Sequence, residues 1–171
     1  DKKNQEQYEE NQKEFEKQGI KFIFNSRLGH FKKVRNIIDV EIIGNNSKER
    51  FKVDKILSAV GVVANTEGLN LEQCEVTLSE GRIEVDKFCR TTAANIFAIG
   101  DVVRGPWLAH KASHEGMIVA EKISGKSPHP LNLGLIPSCI YSKPQIASIG
   151  ATEVQAKKHI KEILVGRFPY P

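Results

Sequence analysis

Four consecutive apolar residues, Ile96-Phe97-Ala98-Ile99, run straight into Gly100-Asp101, and no other stretch constrains the chain as tightly. A short apolar run closed by turn residues reads as a fully buried strand. Beyond it, Leu108, Ala112, Gly116, Val119 and Ile123 recur at steps of four, four, three and four, which predicts a helix over 108–124 with Gly125 as its stop. A buried strand, a short loop and a helix make an α/β arrangement. In open α/β folds, ligands meet the C-terminal ends of the strands. An Asp at that edge can accept hydrogen bonds from ligand hydroxyls, and a Gly before it admits a close approach to the backbone. A helix starting just beyond presents unpaired N–H groups and a positive dipole end, suited to an electron-rich ring carbonyl. Asp101 is therefore expected at the strand's C-terminal edge and outside any helix. By itself, Gly-Asp after a strand is also the mark of an ordinary turn.

The rest of the chain reads as alternating elements. Residues 1–18 are strong helix formers, with Tyr8 and Phe15 seven apart on one face and Gly19 as a stop. Ile20–Phe24 and Asn36–Ile43 read as strands, and Gly44-Asn45-Asn46-Ser47 as a hairpin turn. Phe51–Val60 supplies two further short strands. Residues 65–80 are loop-like, and Gly81–Asp86 alternates as a strand. Lys126–Asn132, with two prolines, is the best linker. Pro137–Tyr141 and Gln145–Ile149 read as strands, 152–162 as a helix, and Ile163–Val165 as another strand.

Several functions are excluded by chemistry. The formal charge of +4, with Lys over Arg by 18 to 7 and no clustering, is no nucleic-acid footprint. Apolar runs of five residues or fewer cannot span a membrane as a helix. No signal peptide is expected, because no basic, apolar, small-residue pattern opens the chain. Cys74, Cys89 and Cys139 include no pair at CxxC spacing, and an odd count points to a reducing compartment. Ala120–Ser127 mimics a phosphate loop, but it continues a helix instead of following a strand. His110 and His114, four apart with Glu115 adjoining, match a zinc motif only loosely.

Residues 90–119 closely resemble the second FAD motif of the pyridine nucleotide–disulfide oxidoreductases, in which Thr is followed after five residues by F/Y-A-I-G-D. Thr91 and Phe97–Asp101 fill it. Leu108-Ala109-His110-Lys111-Ala112 with Glu115-Gly116 resembles the dihydrolipoamide dehydrogenase branch. Lys17–Phe22, Ala59-Val60-Gly61 with Asn65–Leu69, and Ile136–Ser138 with Tyr141–Gly150 resemble further family segments. The resemblance implies an α/β chain, part of a fold with two Rossmann-like FAD and NAD domains, ending in the start of an α+β dimerisation domain. It divides the chain into 1–64 (NAD domain), 65–132 (central, FAD-contacting domain) and 133–171 (interface domain).

For the site, the resemblance implies that Asp101, after Gly100, binds the FAD ribityl hydroxyls. The Ala109 backbone N–H, with Leu108 nearby, faces the pyrimidine edge of the flavin. Ala59, Gly61 and Val62, with Leu28, fall where the family's backbone touches NAD. Val62 and Ala64 stand where the family carries Arg and Pro, which removes a charge near the nicotinamide cleft, and His114 stands where acidic residues are common. The implied partners are a second copy, as a homodimer, and the lipoyl-bearing subunit of a 2-oxoacid dehydrogenase complex.

Neither GxGxxG nor C-x4-C occurs in the chain, and no His-x4-Glu lies near its C-terminal end. In the family these lie upstream or downstream of the matching region. The chain, which opens at Asp1 and closes in an apolar run, is therefore expected to be an inactive internal segment of a flavoprotein that reoxidises dihydrolipoamide with NAD. No catalytic residue and no metal ligand is expected within it. The alternatives are another flavoprotein disulfide reductase, of mercuric or glutathione reductase type, and a non-catalytic binding or assembly module.

Overall fold

The computed structural model describes residues 5–168, with side chains from residue 11 onward. The expected helix over 1–4 and the pairing of Tyr8 with Phe15 lie outside the described residues and side chains. The chain divides into two compact units, one over Gln5–Gly61 and one from Val62 onward.

The first unit holds α1 (Gln5–Lys17) and a three-stranded antiparallel sheet, β1 (Ser26–Val34), β2 (Ile37–Gly44) and β3 (Lys48–Val53), with β2 central. β2 falls where the hydrophobic pattern places it, and β3 starts straight after the Gly-Asn-Asn-Ser turn, at Lys48 instead of the expected Phe51; the Gly44 N–H donates to the Ser47 carbonyl at 2.9 Å. Val40, mid-way along β2, is buried. β1 went unread in the sequence. Its lysines and its apolar residues at steps of three, Leu28, Phe31 and Val34, disguise an edge strand, where charge is tolerated. The pairing of β1 with β2 slips between Leu28 and Phe31, a β-bulge that opens just beyond Leu28.

Two expected strands of this unit do not form. Ile20–Phe24 is irregular, its Phe22 and Phe24 rings stacked at 5.8 Å. Ile56–Val60 carries no regular structure and pairs in no ladder, with Leu57 and Val60 more than nine-tenths exposed. Among the described residues no segment pairs with either, and an apolar stretch without a neighbour to exchange hydrogen bonds with is not a strand.

The second unit is built on a small core of Val76, Ile83, Ala98 and Val103, flanked by Leu71, Val85, Ala93, Ile96 and Val102. The expected strand over Gly81–Asp86 shrinks to β5 (Arg82–Ile83), paired with β4 (Leu78–Ser79) inside the stretch read as loop. The segment 96–99 is corrected as well. It is extended but carries only a bridge from Phe97 to Arg90, supported by hydrogen bonds from Ala98 N to Cys89 O and from Thr91 N to Ile96 O, both 3.0 Å. It is thus one arm of a narrow hairpin. Thr91 closes the turn: its buried hydroxyl lies 3.0 Å from the Ile96 carbonyl as donor and accepts from Ala93 N.

α2 (Ala109–Ile123) forms as the periodicity predicts, with Leu108 as N-cap and Gly125 beyond its end at φ +79°. Its deepest face, however, is Lys111, Glu115 and Ile118, one residue round from the apolar stripe read in the sequence. After the 126–132 linker come the two expected strands, β6 (Ser138–Ile140) and β7 (Ile146–Ser148), which pair antiparallel, then α3 (Glu153–Ala156). α3 is one turn rather than the eleven residues expected, closed by a capping box between Thr152 and Gln155. Ile163–Val165 forms no strand, for the same want of a partner.

Candidate functional site

The junction of the hairpin and α2 holds the expected FAD-side residues. Gly100 is buried and has φ +79°, a left-handed conformation that an L side chain resists. It opens a single 3-10 turn, Gly100–Val102, closed by Val103 N donating to Gly100 O at 3.3 Å. Asp101 is the second residue of that turn, so the expectation that it lies outside any helix is corrected. The reason is local: Gly100 turns the extended run sharply, and one tight turn is the shortest way onward. The side chain is exposed at the exit of the extended run, and it makes no hydrogen bond or ion pair among the described residues.

Leu108 is extended and offers no side-chain cap, and the first turn of α2 contains no acidic residue. The N–H groups at Ala109 and His110, both exposed, therefore remain available to a ligand. A free carboxylate on one turn and free N–H donors on the next suit a ligand that presents hydroxyls beside an electron-rich carbonyl. The donor set fits the ribityl chain and ring edge of a flavin.

Two residues that sequence reasoning left without a role hold this junction together. Lys111 is the most deeply buried long side chain, 1% exposed, and Glu115 is 4% exposed. The Lys111 Nζ donates to Gly100 O at 2.9 Å and to Glu115 Oε1 and Oε2 at 2.9 and 3.1 Å. The Glu115 Oε2 in turn accepts from Gly100 N at 2.8 Å. Both backbone groups of Gly100 are thus held by one ion pair on one helix face. In the sequence both fall within the family-like segment, but their spacing of four on a helix more often marks a surface pair.

The same environment governs Cys89. Burial, with the Glu115 carboxylate adding and Lys111 opposing, pushes its thiol up from 9.0 to about 11. All three cysteines are free thiols. His110 donates from Nε2 to the Pro137 carbonyl at 2.9 Å, and His114 from Nδ1 to the His110 carbonyl at 3.0 Å, so both rings are engaged with backbone. No group of three metal-ligating side chains occurs among the described residues.

The expected NAD-side residues lie in the first unit, apart from Val62, which opens the second. Leu28 sits on β1 at the bulge and is half-exposed, while Ala59 and Gly61 lie on the exposed stretch after β3. Gly61 has φ +129°. Ala59, Val60 and Gly61 offer backbone rather than polar side chains, which fits a dinucleotide held through main-chain contacts. The structure thus gathers Gly100, Asp101, Leu108 and Ala109 at one junction and leaves Leu28, Ala59 and Gly61 in the other unit.

The sequence is 39% identical over 156 residues to a dihydrolipoyl dehydrogenase of Bacillus subtilis, covering 90% of this chain and 33% of that protein. It is 42% identical over 162 residues to the dihydrolipoyl dehydrogenase of Zymomonas mobilis, covering 92% and 34%. The chain therefore spans about a third of the length of the curated relatives it matches. Among solved structures, LpdA of Mycobacterium tuberculosis superposes with TM-score 0.78 at 25% identity, over 85% of this chain and 31% of that one. The HOCl-induced flavoprotein disulfide reductase RclA of Escherichia coli gives 0.77 at 25% identity, over 87% and 34%. The α/β arrangement is accordingly part of the fold of the flavoprotein disulfide oxidoreductases. Residues 136–171, which contain β6, β7 and α3, match that family's dimerisation domain. Residues 2–116, which contain the Gly100–Asp101 junction and the start of α2, match the pyridine nucleotide-disulphide oxidoreductase model itself, and the chain belongs to that family.

Proposed function

We propose that the chain is a segment of an FAD-dependent dihydrolipoyl dehydrogenase. The observation that carries this is the free Asp101 carboxylate, tied through Gly100 to the uncapped start of α2, in a chain about 40% identical to enzymes of that name. In this reading Asp101 binds the ribityl hydroxyls, with Gly100 keeping the approach open. The Ala109 N–H, with Leu108 beside it, faces the ring edge that gains negative charge, where a helix N-terminus favours the reduced state. Bound FAD would supply the hydride chemistry between dithiol and nicotinamide. This chain's residues bind and orient it, and none of them moves a proton. Ala59 and Gly61, with Leu28, offer backbone to NAD; Val62, in place of a family Arg, adds no charge there.

The division into 1–64, 65–132 and 133–171 follows the same reading. Its second boundary is supported by the gap between the two family matches, which contains the proline-rich linker, and its first by the nearby division between the two compact units after Gly61. The dimerisation-domain match and the exposed Ile140 and Ile149 support a homodimer, with Ile136 only half-exposed. The lipoyl-bearing subunit of a 2-oxoacid dehydrogenase complex is the proposed partner, and the bacterial cytoplasm, or the matrix in a eukaryote, the proposed location. Among the described residues no helix is long and apolar enough to cross a membrane.

The test is NAD+ reduction with dihydrolipoamide by the longer protein that carries this segment. Turnover with dihydrolipoamide supports the reading. Turnover only with oxidised glutathione or mercuric ion, and a reduced nicotinamide as donor, would replace it by the neighbouring reductase class.

A further inference from the structure

We propose that Lys111 and Glu115 are positioning residues for the flavin: they set the distance between the Asp101 carboxylate and the start of α2. The inference rests on the flavin reading above. The two proposed flavin contacts belong to different elements, the 3-10 turn after the hairpin and the first turn of α2. Only a link between those elements fixes one contact relative to the other, and Lys111 and Glu115 supply it from the same helix that carries Ala109. The Nζ donates at 2.9 Å to the carbonyl of Gly100, and the Oε2 accepts at 2.8 Å from its N–H. The next residue is Asp101.

The linkage is fully satisfied and closed to water. The ammonium has three acceptors, Gly100 O and both carboxylate oxygens, and the carboxylate is within 3.1 Å of the ammonium on both sides. Both side chains are more than nine-tenths buried. The connecting loop is shaped around the lysine: a Cβ on Gly105, whose φ is +121°, would stand 3.2 Å from Lys111 Cδ and 3.4 Å from Leu133 Cδ2. Stability alone does not explain such a pair, since apolar residues of like volume commonly serve a folded core as well or better. What apolar residues cannot do is bind the N–H and the carbonyl of one residue at once, and so grip the two peptide units on either side of Gly100. Charge-assisted bonds to both groups hold the two peptide units flanking Gly100 in one orientation, and the pair, neutral overall, adds no net charge beside the cofactor.

The experiment uses the double variant Lys111→Met/Glu115→Leu, which leaves no buried charge unpaired, together with Asp101→Ala and Glu115→Gln. In the 171-residue chain, the Gly100 amide proton is expected far downfield and protected from exchange, and both signatures should vanish in the double variant. In the longer flavoprotein, the double variant should weaken FAD about tenfold or more, as the loss of oriented hydrogen bonding implies. It should also change the visible circular dichroism of the bound flavin. Glu115→Gln keeps an acceptor for the Gly100 N–H but leaves the Lys111 ammonium without its counter-charge, so it should lower stability while its folded fraction retains most of the affinity. It also serves as the reporting variant if the double one does not fold: a loss as large as that of Asp101→Ala would overturn the proposal. If Asp101→Ala weakens FAD while the double variant binds it unchanged with an unchanged flavin spectrum, the positioning role is refuted and the flavin reading stands. If neither affects FAD, both fall.

Discussion

Removing half of the buried pair should be far more damaging than removing all of it. Lys111→Met deletes an ammonium with three hydrogen bonds and strands the Glu115 carboxylate at 4% exposure. An uncompensated buried charge of this kind costs about 3–5 kcal/mol. Glu115→Leu strands the ammonium at a similar cost. In the double variant Lys111→Met/Glu115→Leu no charge is buried, and the residual penalty is the Gly100 N–H without its acceptor, about 1–3 kcal/mol. The double variant is therefore expected to be more stable than either single one, with a coupling energy of several kcal/mol, beyond the range ordinary neighbours show. Urea unfolding followed by fluorescence of Trp107, the chain's single tryptophan, reports on this unit alone. With an m-value of about 2 kcal/mol/M, each single variant should lower the midpoint by roughly 1.5–2.5 M. Singles within about 1 kcal/mol of the parent, or a double variant as damaged as the two singles added, would show that the pair is not the buried, closed unit described.

Gly105→Ala places a Cβ 3.2 Å from Lys111 Cδ at a backbone angle of +121°, and should cost about 1–3 kcal/mol by the same fluorescence measurement; a neutral result would free the loop from the lysine. Thiol labelling of the folded chain at pH 8 should modify the exposed Cys74 and Cys139 quickly and the buried Cys89 slowly. With its thiol raised from 9.0 to about 11, Cys89 has a roughly hundredfold smaller thiolate fraction than an ordinary cysteine. The sign follows for stability: the folded chain keeps a proton that the unfolded chain releases, so the contribution is fully present below pH 9 and is lost as the pH rises through 11. Three equally fast thiols would contradict this. The purified 171-residue chain should not reduce NAD+ with dihydrolipoamide even with FAD added. It contains neither GxGxxG nor C-x4-C, so the cofactor's pyrophosphate has no glycine loop and the electrons no paired thiols; turnover would place chemistry in residues described above as structural.

The elements that the sequence reveals are those whose partners lie close along the chain. α2, the β2–β3 hairpin and the β6–β7 pair are closed by local turns and helical hydrogen bonds, so periodicity and Gly, Asn and Pro signals suffice to find them. Ile20–Phe24, Ile56–Val60 and Ile163–Val165 have the composition of strands, but composition cannot supply a ladder, and among the described residues they have none. β1 shows the converse: lysine-rich and irregular in pattern, it pairs because β2 offers it an edge. At the site, the motif from Thr91 to Asp101 was legible as a pattern, and its parts have separate physical tasks. Thr91 closes the turn, Ala98 packs in the core, and Gly100 bends the chain. The linkage by Lys111 and Glu115 was not legible. Charged side chains four apart look like a solvated pair, and only the fold shows which face of α2 turns inward.

Retention of FAD by Asp101→Ala in the longer protein tests the central claim most directly. After gel filtration, flavin absorbance should show close to one FAD per chain in the parent and clearly less in the variant, with far-UV circular dichroism unchanged. A variant that keeps its full complement of FAD would show that the Asp101 carboxylate does not hold the cofactor, and the assignment of this junction as the flavin site would be wrong.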